Sequence, residues 1–184
     1  ATGFVGDKGK GTPEYHNVIE KVDIITSTFG KALGGASGGF TTSSKEIIEI
    51  LRQKSRPYLF SNSLAPNIVY ASIEAIKMIE KSDALREKLN QNTQYFRNGL
   101  EKLGYNIKKG THPIIPVMLG DALLAKSLAE NLLEKNIYVV SFSFPVVPKE
   151  EARIRLQISA AHTKKQLDYA LQAFEKAGKK LKII

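Results

Sequence analysis

The strongest constraint in the sequence is a short apolar segment that ends at a loop of small residues. Val22–Thr28 is almost entirely β-branched and too short for a helix, so it predicts a largely buried strand. A loop from Gly30 to Gly39 follows, and Phe40–Thr42 resumes as a second short strand. Ligands of open α/β sheets bind at the carboxyl ends of strands, so we expect an α/β fold with its chemistry at this loop.

Helical patterns then dominate the chain up to residue 103. Ser43 and Glu46 have the spacing of a capping box, which predicts a helix that ends before Pro57. Further helices are predicted from Leu64 and from Ser82 to Leu103. Gly104 and the turn that follows it predict a boundary, so we expect two domains, residues 1–103 and 104–184.

The second predicted domain has the order β-α-β-β-α. Its strands are predicted at Ile114–Leu119, Ile137–Phe142 and Arg153–Ile158, and its first helix at Ala122–Lys135. Thr163 and Gln166 form a capping box in front of the last helix, whose apolar positions are Leu167, Leu171, Phe174 and Leu181.

Composition limits the compartment and the class of partner. The sequence has no cysteine, which excludes disulfides and thiolate chemistry and fits a reducing compartment. The start, Ala1 to Phe4, lacks the pattern of a signal peptide, and no apolar run could span a bilayer, so we expect a cytoplasmic protein without membrane contact. The net charge of +9 is densest after Lys164, but without an aromatic ladder it predicts a solvated helix face and no nucleic-acid partner.

Lys31 is the leading candidate for chemistry. It follows the predicted strand among residues too small to screen its amine. Such a lysine can bind a phosphate or act as an amine nucleophile that forms a Schiff base, and it can also be an ordinary surface lysine. The phosphate-loop pattern is absent because it requires a glycine at the position of Ile25 and a serine or threonine at the position of Ala32. Histidines 16 and 112 lack companions at metal spacing, so no metal site is predicted, and His162 is interpreted as structural.

Four segments resemble one family over essentially the whole chain. Thr26–Gly35 looks like the pyridoxal-phosphate lysine motif of the α-oxoamine synthases, a branch of the fold-type I PLP-dependent transferases. The other matching segments are Ala1–Phe4 with Gly9–Thr12, Arg56–Asn62 and Arg153–Thr163. The resemblance implies that residues 1–103 are the end of the PLP-binding large domain with linking helices, and residues 104–184 the small C-terminal domain.

The resemblance also implies the cofactor, pyridoxal 5'-phosphate, and the residues around it. Lys31 corresponds to the lysine that binds the cofactor covalently and moves the α-proton of the substrate, and Thr28 to a hydroxyl on the cofactor phosphate. Arg155 corresponds to the arginine that binds the substrate carboxylate, a role that suits its two-donor fork; Arg153, on the same face of its strand, has a weaker claim.

The remaining implications concern the assembly and the substrates. Phe60, Ser61 and Asn62 match the segment that reaches the cofactor of the opposite subunit in a homodimer, with Ser61 on the phosphate. This segment and Ser159–His162 favour the branch of the family that condenses glycine with acetyl-CoA to 2-amino-3-ketobutyrate and CoA, which in reverse serves threonine degradation. Tyr58 and Phe60 are otherwise interpreted as packing residues.

The start of the chain predicts a fragment. Ala1–Thr12 is glycine-rich and reads as a loop entered from an upstream segment, and members of the family are about twice as long. In these relatives an aspartate on the pyridine nitrogen and two histidines precede the segment that matches Ala1. We therefore expect the fragment alone to be inactive. Two alternatives stay open: another α-oxoamine synthase with a different amino acid and acyl-CoA, and a non-catalytic basic fragment that packs on a partner half.

Overall fold

The computed structural model describes residues 1–34 and 37–184, which form two compact units, Ala1–Asp83 and Ala84–Ile184. Two positions of the predicted small-residue loop, Gly35 and Ala36, lie outside the described residues.

The first unit begins with turns and continues with a short hairpin and helices. A 3₁₀ turn spans Ile19–Lys21. The strands are β1, Ile25–Thr28, and β2, Gly39–Thr42; the helices are α1, Thr12–Tyr15, α2, Lys45–Lys54, α3, Arg56–Leu59, and α4, Pro66–Lys81.

The strand predicted at residues 22–28 begins later and is not buried. β1 pairs with β2 in an antiparallel two-stranded sheet, with Ile25 opposite Thr42 and Thr28 opposite Gly39. Val22 and Ile24 precede the strand, with 36% and 47% of their surfaces exposed, so the prediction of burial is wrong for this chain. The β-branched pattern predicted the extended backbone, but burial requires a second layer, and the described residues of this unit do not form one over these two side chains.

The start of α2 differs from its predicted cap by one residue. Ser44 is the N-cap, and its hydroxyl accepts a hydrogen bond from the Ile47 amide at 3.5 Å. The Ser43 hydroxyl instead donates to the Asp23 carbonyl at 2.6 Å. Two adjacent serines offer the same chemistry, and the tether to Asp23 decides which of them caps the helix. The helix predicted from Leu64 is confirmed as α4, with Pro66 in its first turn.

The second unit contains a long helix and the predicted β-α-β-β-α module. The helices are α5, Ala84–Lys102, α6, Ala122–Leu133, and α7, Lys164–Lys180; the strands are β3, Ile114–Gly120, β4, Val140–Phe142, and β5, Ala152–Gln157. The strand order is β3-β5-β4, and β5 is antiparallel to both neighbours. Strands β3 and β4 are therefore parallel, joined through α6 across β5, which is a split β-α-β arrangement.

The core of the second unit lies on one face of this sheet. Ile154 and Leu156 of β5 and Ile115 and Val117 of β3 are buried, as is Phe174 of α7. Helix α5 adds Phe96 and Leu100 to the same core. The division at residues 83 and 84 thus differs from the predicted boundary after residue 103, because α5 packs as part of the second unit and is not only a link. The assignment of the units to the large and small domains of a longer protein stays a prediction.

The capping box of α7 is confirmed. The Thr163 hydroxyl accepts from the Gln166 amide at 3.3 Å, and the Gln166 side chain accepts from the Thr163 amide at 2.9 Å. These two bonds satisfy otherwise orphaned amides at the helix start. At the far end, Lys179 pairs with Glu175 and Lys180 with Asn131, as on a solvated helix face.

A polar cluster joins α5 to α7. The Tyr95 hydroxyl donates a short hydrogen bond to the Asp168 carboxylate, which also pairs with Lys164 at 3.0 Å. The Lys164 ammonium lies 4.6 Å from the centre of the Tyr95 ring. The hydrogen bond from Tyr95, and to a smaller extent the one from Lys164, holds the pKa of Asp168 below its ordinary value of 3.8.

Replacing Tyr95 by Phe should raise the pKa of Asp168 toward its ordinary value. The hydrogen bond from Tyr95 lowers this pKa more than the bond from Lys164 does, and the substitution removes it. Since the folded pKa is the lower one, the cluster stabilises the fold above pH 3.8 and loses this contribution as the pH falls through the folded pKa. NMR titration of the Asp168 carboxyl carbon measures the shift, with Tyr169→Phe on the same helix as control. An unchanged titration in Tyr95→Phe would contradict the assignment.

Candidate active site

Thr28 and Lys31 lie on the loop that leaves β1. Thr28 is the last residue of the strand, and Lys31 stands three residues further on; both are exposed. The Phe29 amide donates to the Gly38 carbonyl at 2.9 Å, which closes the base of the loop, and the Gly34 amide donates to the Lys31 carbonyl at 3.0 Å. A hydroxyl and an amine are thereby presented to solvent by one loop.

Gly39 sets how closely the two strands of this loop approach. A Cβ atom at Gly39 would lie 2.4 Å from the Ser27 carbonyl oxygen, a separation that real side chains do not reach. Across the hairpin the Phe29 and Phe40 rings pack with their centres 5.4 Å apart. The Ser27 hydroxyl donates to the Thr2 hydroxyl at 2.9 Å and ties the N-terminal turns to β1. From the sequence, Gly39 is predicted only as a small loop residue, because its close approach to Ser27 arises when the two strands pair.

Phe60, Ser61 and Asn62 follow α3 and are all exposed. Phe60 is 77% exposed, and the Arg56 guanidinium lies 5.5 Å from the centre of its ring. Tyr58 is 63% exposed, so the interpretation of Tyr58 and Phe60 as packing residues is wrong within this chain. The short helix turns their rings outward, and no neighbouring layer covers them among the described residues of the first unit.

Arg155 lies on β5, the central strand of the second unit. Its Cα partners are Pro116 on β3 and Val140 on β4. The predicted alternation is confirmed, since Arg155 is exposed and Arg153 half-buried on one face, whereas Ile154 is fully buried on the other. This face therefore carries two cations on a strand whose opposite side is apolar.

The two arginines have different partners. Arg153 forms an ion pair with Glu151, with Nη2 and Oε2 separated by 3.6 Å. Arg155 forms no ion pair within the described chain; its guanidinium carbon lies 5.4 Å from the centre of the Phe142 ring. Both arginines line an open concavity of about 270 Å³ together with Pro116 and Phe142. The donors of Arg155 are therefore available to an anion, and those of Arg153 less so.

The histidines take structural positions. His162 Nδ1 accepts from the Ser159 amide at 3.2 Å, and its carbonyl accepts from Asn92 at 2.9 Å. His112 Nδ1 accepts from the Ile114 amide at 3.0 Å, and burial lowers its pKa. Within residues 1–34 and 37–184 no group of His, Asp and Glu could hold a metal ion. No helix in the described ranges is long and apolar enough to cross a membrane.

The family described as aminotransferase class I and II matches residues 1–174. The chain belongs to this family.

Curated relatives narrow the comparison within the aminotransferase family. The 2-amino-3-ketobutyrate coenzyme A ligase of Escherichia coli K12 is 54% identical over all 184 residues, and the human mitochondrial protein of that name is 48% identical over 179. These alignments cover 46% and 43% of the two relatives, so the chain spans about half the length of the curated relatives it matches. An 8-amino-7-oxononanoate synthase of Thermoanaerobacter pseudethanolicus is 42% identical over the whole chain and is 46% covered. The resemblance to α-oxoamine synthases is confirmed.

Solved structures of the family have the same fold. The serine palmitoyltransferase of Sphingomonas wittichii superposes on the whole chain with a TM-score of 0.93 at 32% identity, covering 46% of that protein. A structure described as SPT with PLP gives 0.93 at 30% identity, also with 46% coverage. The 8-amino-7-oxononanoate synthase of Francisella tularensis gives 0.85 at 27% identity, with 54% coverage. The predicted α/β fold of the fold-type I enzymes is confirmed.

Replacing Gly39 by Ala should loosen the β1–β2 hairpin, because the added methyl group must push the Ser27 carbonyl away. Overpacking of about 1–3 kcal/mol corresponds to roughly tenfold or faster amide exchange in residues 25–28. Hydrogen exchange followed by mass spectrometry measures it. Thr41→Ala, on the same strand at an exposed position, is the control and should change exchange much less. Equal exchange in the two variants would show that the close approach is not limiting.

Proposed function

We propose that the protein containing this chain is a PLP-dependent glycine C-acetyltransferase, which condenses glycine with acetyl-CoA to 2-amino-3-ketobutyrate and CoA. The observation that carries the proposal is the loop after β1, which presents the Lys31 amine and the Thr28 hydroxyl together. The 54% identity to a 2-amino-3-ketobutyrate coenzyme A ligase over the whole chain supports the choice of substrates. In the reverse direction the reaction serves threonine degradation.

The residues present fit pyridoxal 5'-phosphate. An accessible primary amine can hold its aldehyde as a Schiff base, and a hydroxyl three residues away can donate to its phosphate, so Lys31 and Thr28 supply two of the groups it needs. When bound, the cofactor supplies an electron sink for a carbanion at the substrate α-carbon. Its partner on the pyridine nitrogen is expected in the part of the relatives that this chain does not span.

Each residue then has a defined task. Besides holding the cofactor, the Lys31 amine would serve as the base that takes a proton from the glycine Cα atom. Arg155 binds the glycine carboxylate through its fork of N–H donors. The different partners of the arginines support Arg155 for this role over Arg153, whose side chain is already paired with Glu151.

The proposal includes a homodimer. Phe60, Ser61 and Asn62 extend from the first unit with exposed side chains, as expected of a segment that completes the site of a partner subunit, with Ser61 on the phosphate. A cytoplasmic location is also proposed, although the mouse and human relatives are named as mitochondrial, so the compartment differs among relatives.

A second candidate is an α-oxoamine synthase that uses another amino acid and acyl-CoA. The 42% identity to an 8-amino-7-oxononanoate synthase favours it, since this relative also matches the whole chain. Assays with glycine and alanine, each with acetyl-CoA and a longer acyl-CoA, separate the two candidates by the ratio of kcat/KM values.

Replacing Lys31 by Ala in the full-length protein should abolish labelling by PLP and borohydride at this peptide. The condensation rate should fall by about 10²–10⁴-fold or more, because both the covalent anchor and the base are lost. Mass mapping and CoA release measure the two effects. Lys45→Ala, which removes an exposed amine paired with Glu49 at 3.9 Å, should keep both. Labelling that persists in Lys31→Ala would disprove the assignment.

Replacing Arg155 by Lys should raise the KM for glycine by about 10–100-fold, because a point charge cannot reproduce the two-donor fork. The KM for acetyl-CoA should change little. Arg153→Lys on the same face is the matched control, and its glycine KM should stay within about threefold of the wild-type value, since its side chain is paired with Glu151 and is not assigned to the substrate carboxylate. The reverse ranking of the two variants would move the carboxylate site to Arg153.

A further inference from the structure

The outer face of the second unit's sheet is formed by cross-strand pairs around the two arginines. Val140 on β4 is the Cα partner of Arg155, and Phe142 is the partner of Arg153. Directly paired residues project to the same side of a sheet, so Phe142 shares its face with both arginines. It reaches diagonally to Arg155, whose guanidinium carbon lies 5.4 Å from the ring centre.

An arginine on the exposed face of a strand binds a ligand at a lower entropic cost when a neighbouring group fixes the orientation of its guanidinium. Arg155 is exposed and has four side-chain torsions, so in isolation it would sample many orientations at an entropic cost to any ligand that fixes it. An acidic neighbour would fix it but would also occupy its N–H donors, as Glu151 does for Arg153 at 3.6 Å. An aromatic face attracts the cation through its quadrupole and takes none of the in-plane donors.

The geometry points to Phe142 as a positioning residue for substrate binding. The inference rests on the proposed role of Arg155 in carboxylate recognition. Phe142 holds the Arg155 guanidinium in place while leaving its fork open to the carboxylate. Phe142 is itself only half-buried, and it lines the concavity of about 270 Å³ beside Arg155, together with Pro116 and Val147. The two arginines are thus held by different means, and this difference determines which of them binds the substrate.

The test uses Phe142→Leu in the full-length protein, which keeps an apolar side chain but removes the ring. We expect the KM for glycine to rise about two- to fivefold, the factor that corresponds to an exposed cation–π contact of about 0.5–1 kcal/mol. The kcat value should stay within about twofold, because the base Lys31 is unaffected. Phe142→Tyr keeps the ring face and should restore the wild-type KM.

A matched control is available two residues further on. The Phe144 ring also contacts a cation, because Lys149 Nζ lies 5.4 Å from the ring centre. This contact does not involve Arg155. Phe144→Leu makes the same chemical change and should leave the glycine KM unchanged. Equal urea midpoints and equal PLP labelling at Lys31 show that each variant is folded and loaded.

A second readout is independent of turnover. In the wild-type protein the Arg155 Nε–H order parameter measured by NMR should be high for a surface arginine, and it should fall in Phe142→Leu but not in Phe144→Leu. A raised glycine KM together with this fall supports the inference. An unchanged glycine KM in Phe142→Leu, while Arg155→Lys raises it, overturns the role of Phe142 and leaves the proposed function intact. An unchanged glycine KM in Arg155→Lys overturns the roles of both Arg155 and Phe142, whereas the proposed function is tested separately by Lys31→Ala.

Discussion

The side-chain alternation along β5 is the constraint on which the second unit depends. Ile154 and Leu156 enter the core beside Phe174, and the residues between and before them, Arg155 and Arg153, must therefore project from the opposite face. A shift of one residue in register would bury the arginines and expose the core. The hydrophobic effect that stabilises the unit thus also fixes the position of the proposed carboxylate site.

The first unit is built differently. Leu33 is its one buried hydrophobic residue among those described, whereas Tyr58, Phe60 and Tyr70 each expose more than half of their surface. Its order comes more from backbone hydrogen bonds and close approaches, such as that at Gly39, than from a core. A loop that holds an accessible amine is compatible with this construction. A proposed interface for a partner subunit lies among the same exposed side chains.

Patterns of neighbouring residues predicted the helices and strands well. Contacts between residues far apart in the sequence were harder to predict. The capping box of Thr163 depends on residues three apart, so the sequence contains all of it. The exposure of Ile24 and the membership of α5 in the second unit depend on what packs against them, which periodicity cannot specify. Lys31 was a candidate from its position after the strand, and resemblance supplied its proposed role and that of Arg155. The proposed role of Phe142 could not be predicted, because its contact with Arg155 exists only when β4 pairs with β5 in this register.

The central place of β5 also restricts how such a site can change. Its backbone is bonded on both sides, to β3 and to β4, so Arg155 cannot be displaced without breaking two ladders at once. Strand β4 lies at the edge, is three residues long and has one bonded neighbour. Adaptation of the proposed site to a larger amino acid would therefore be easiest through β4 and the segment after it, because the arginine on β5 stays in place. Substrate size could then diverge while the proposed carboxylate recognition is kept.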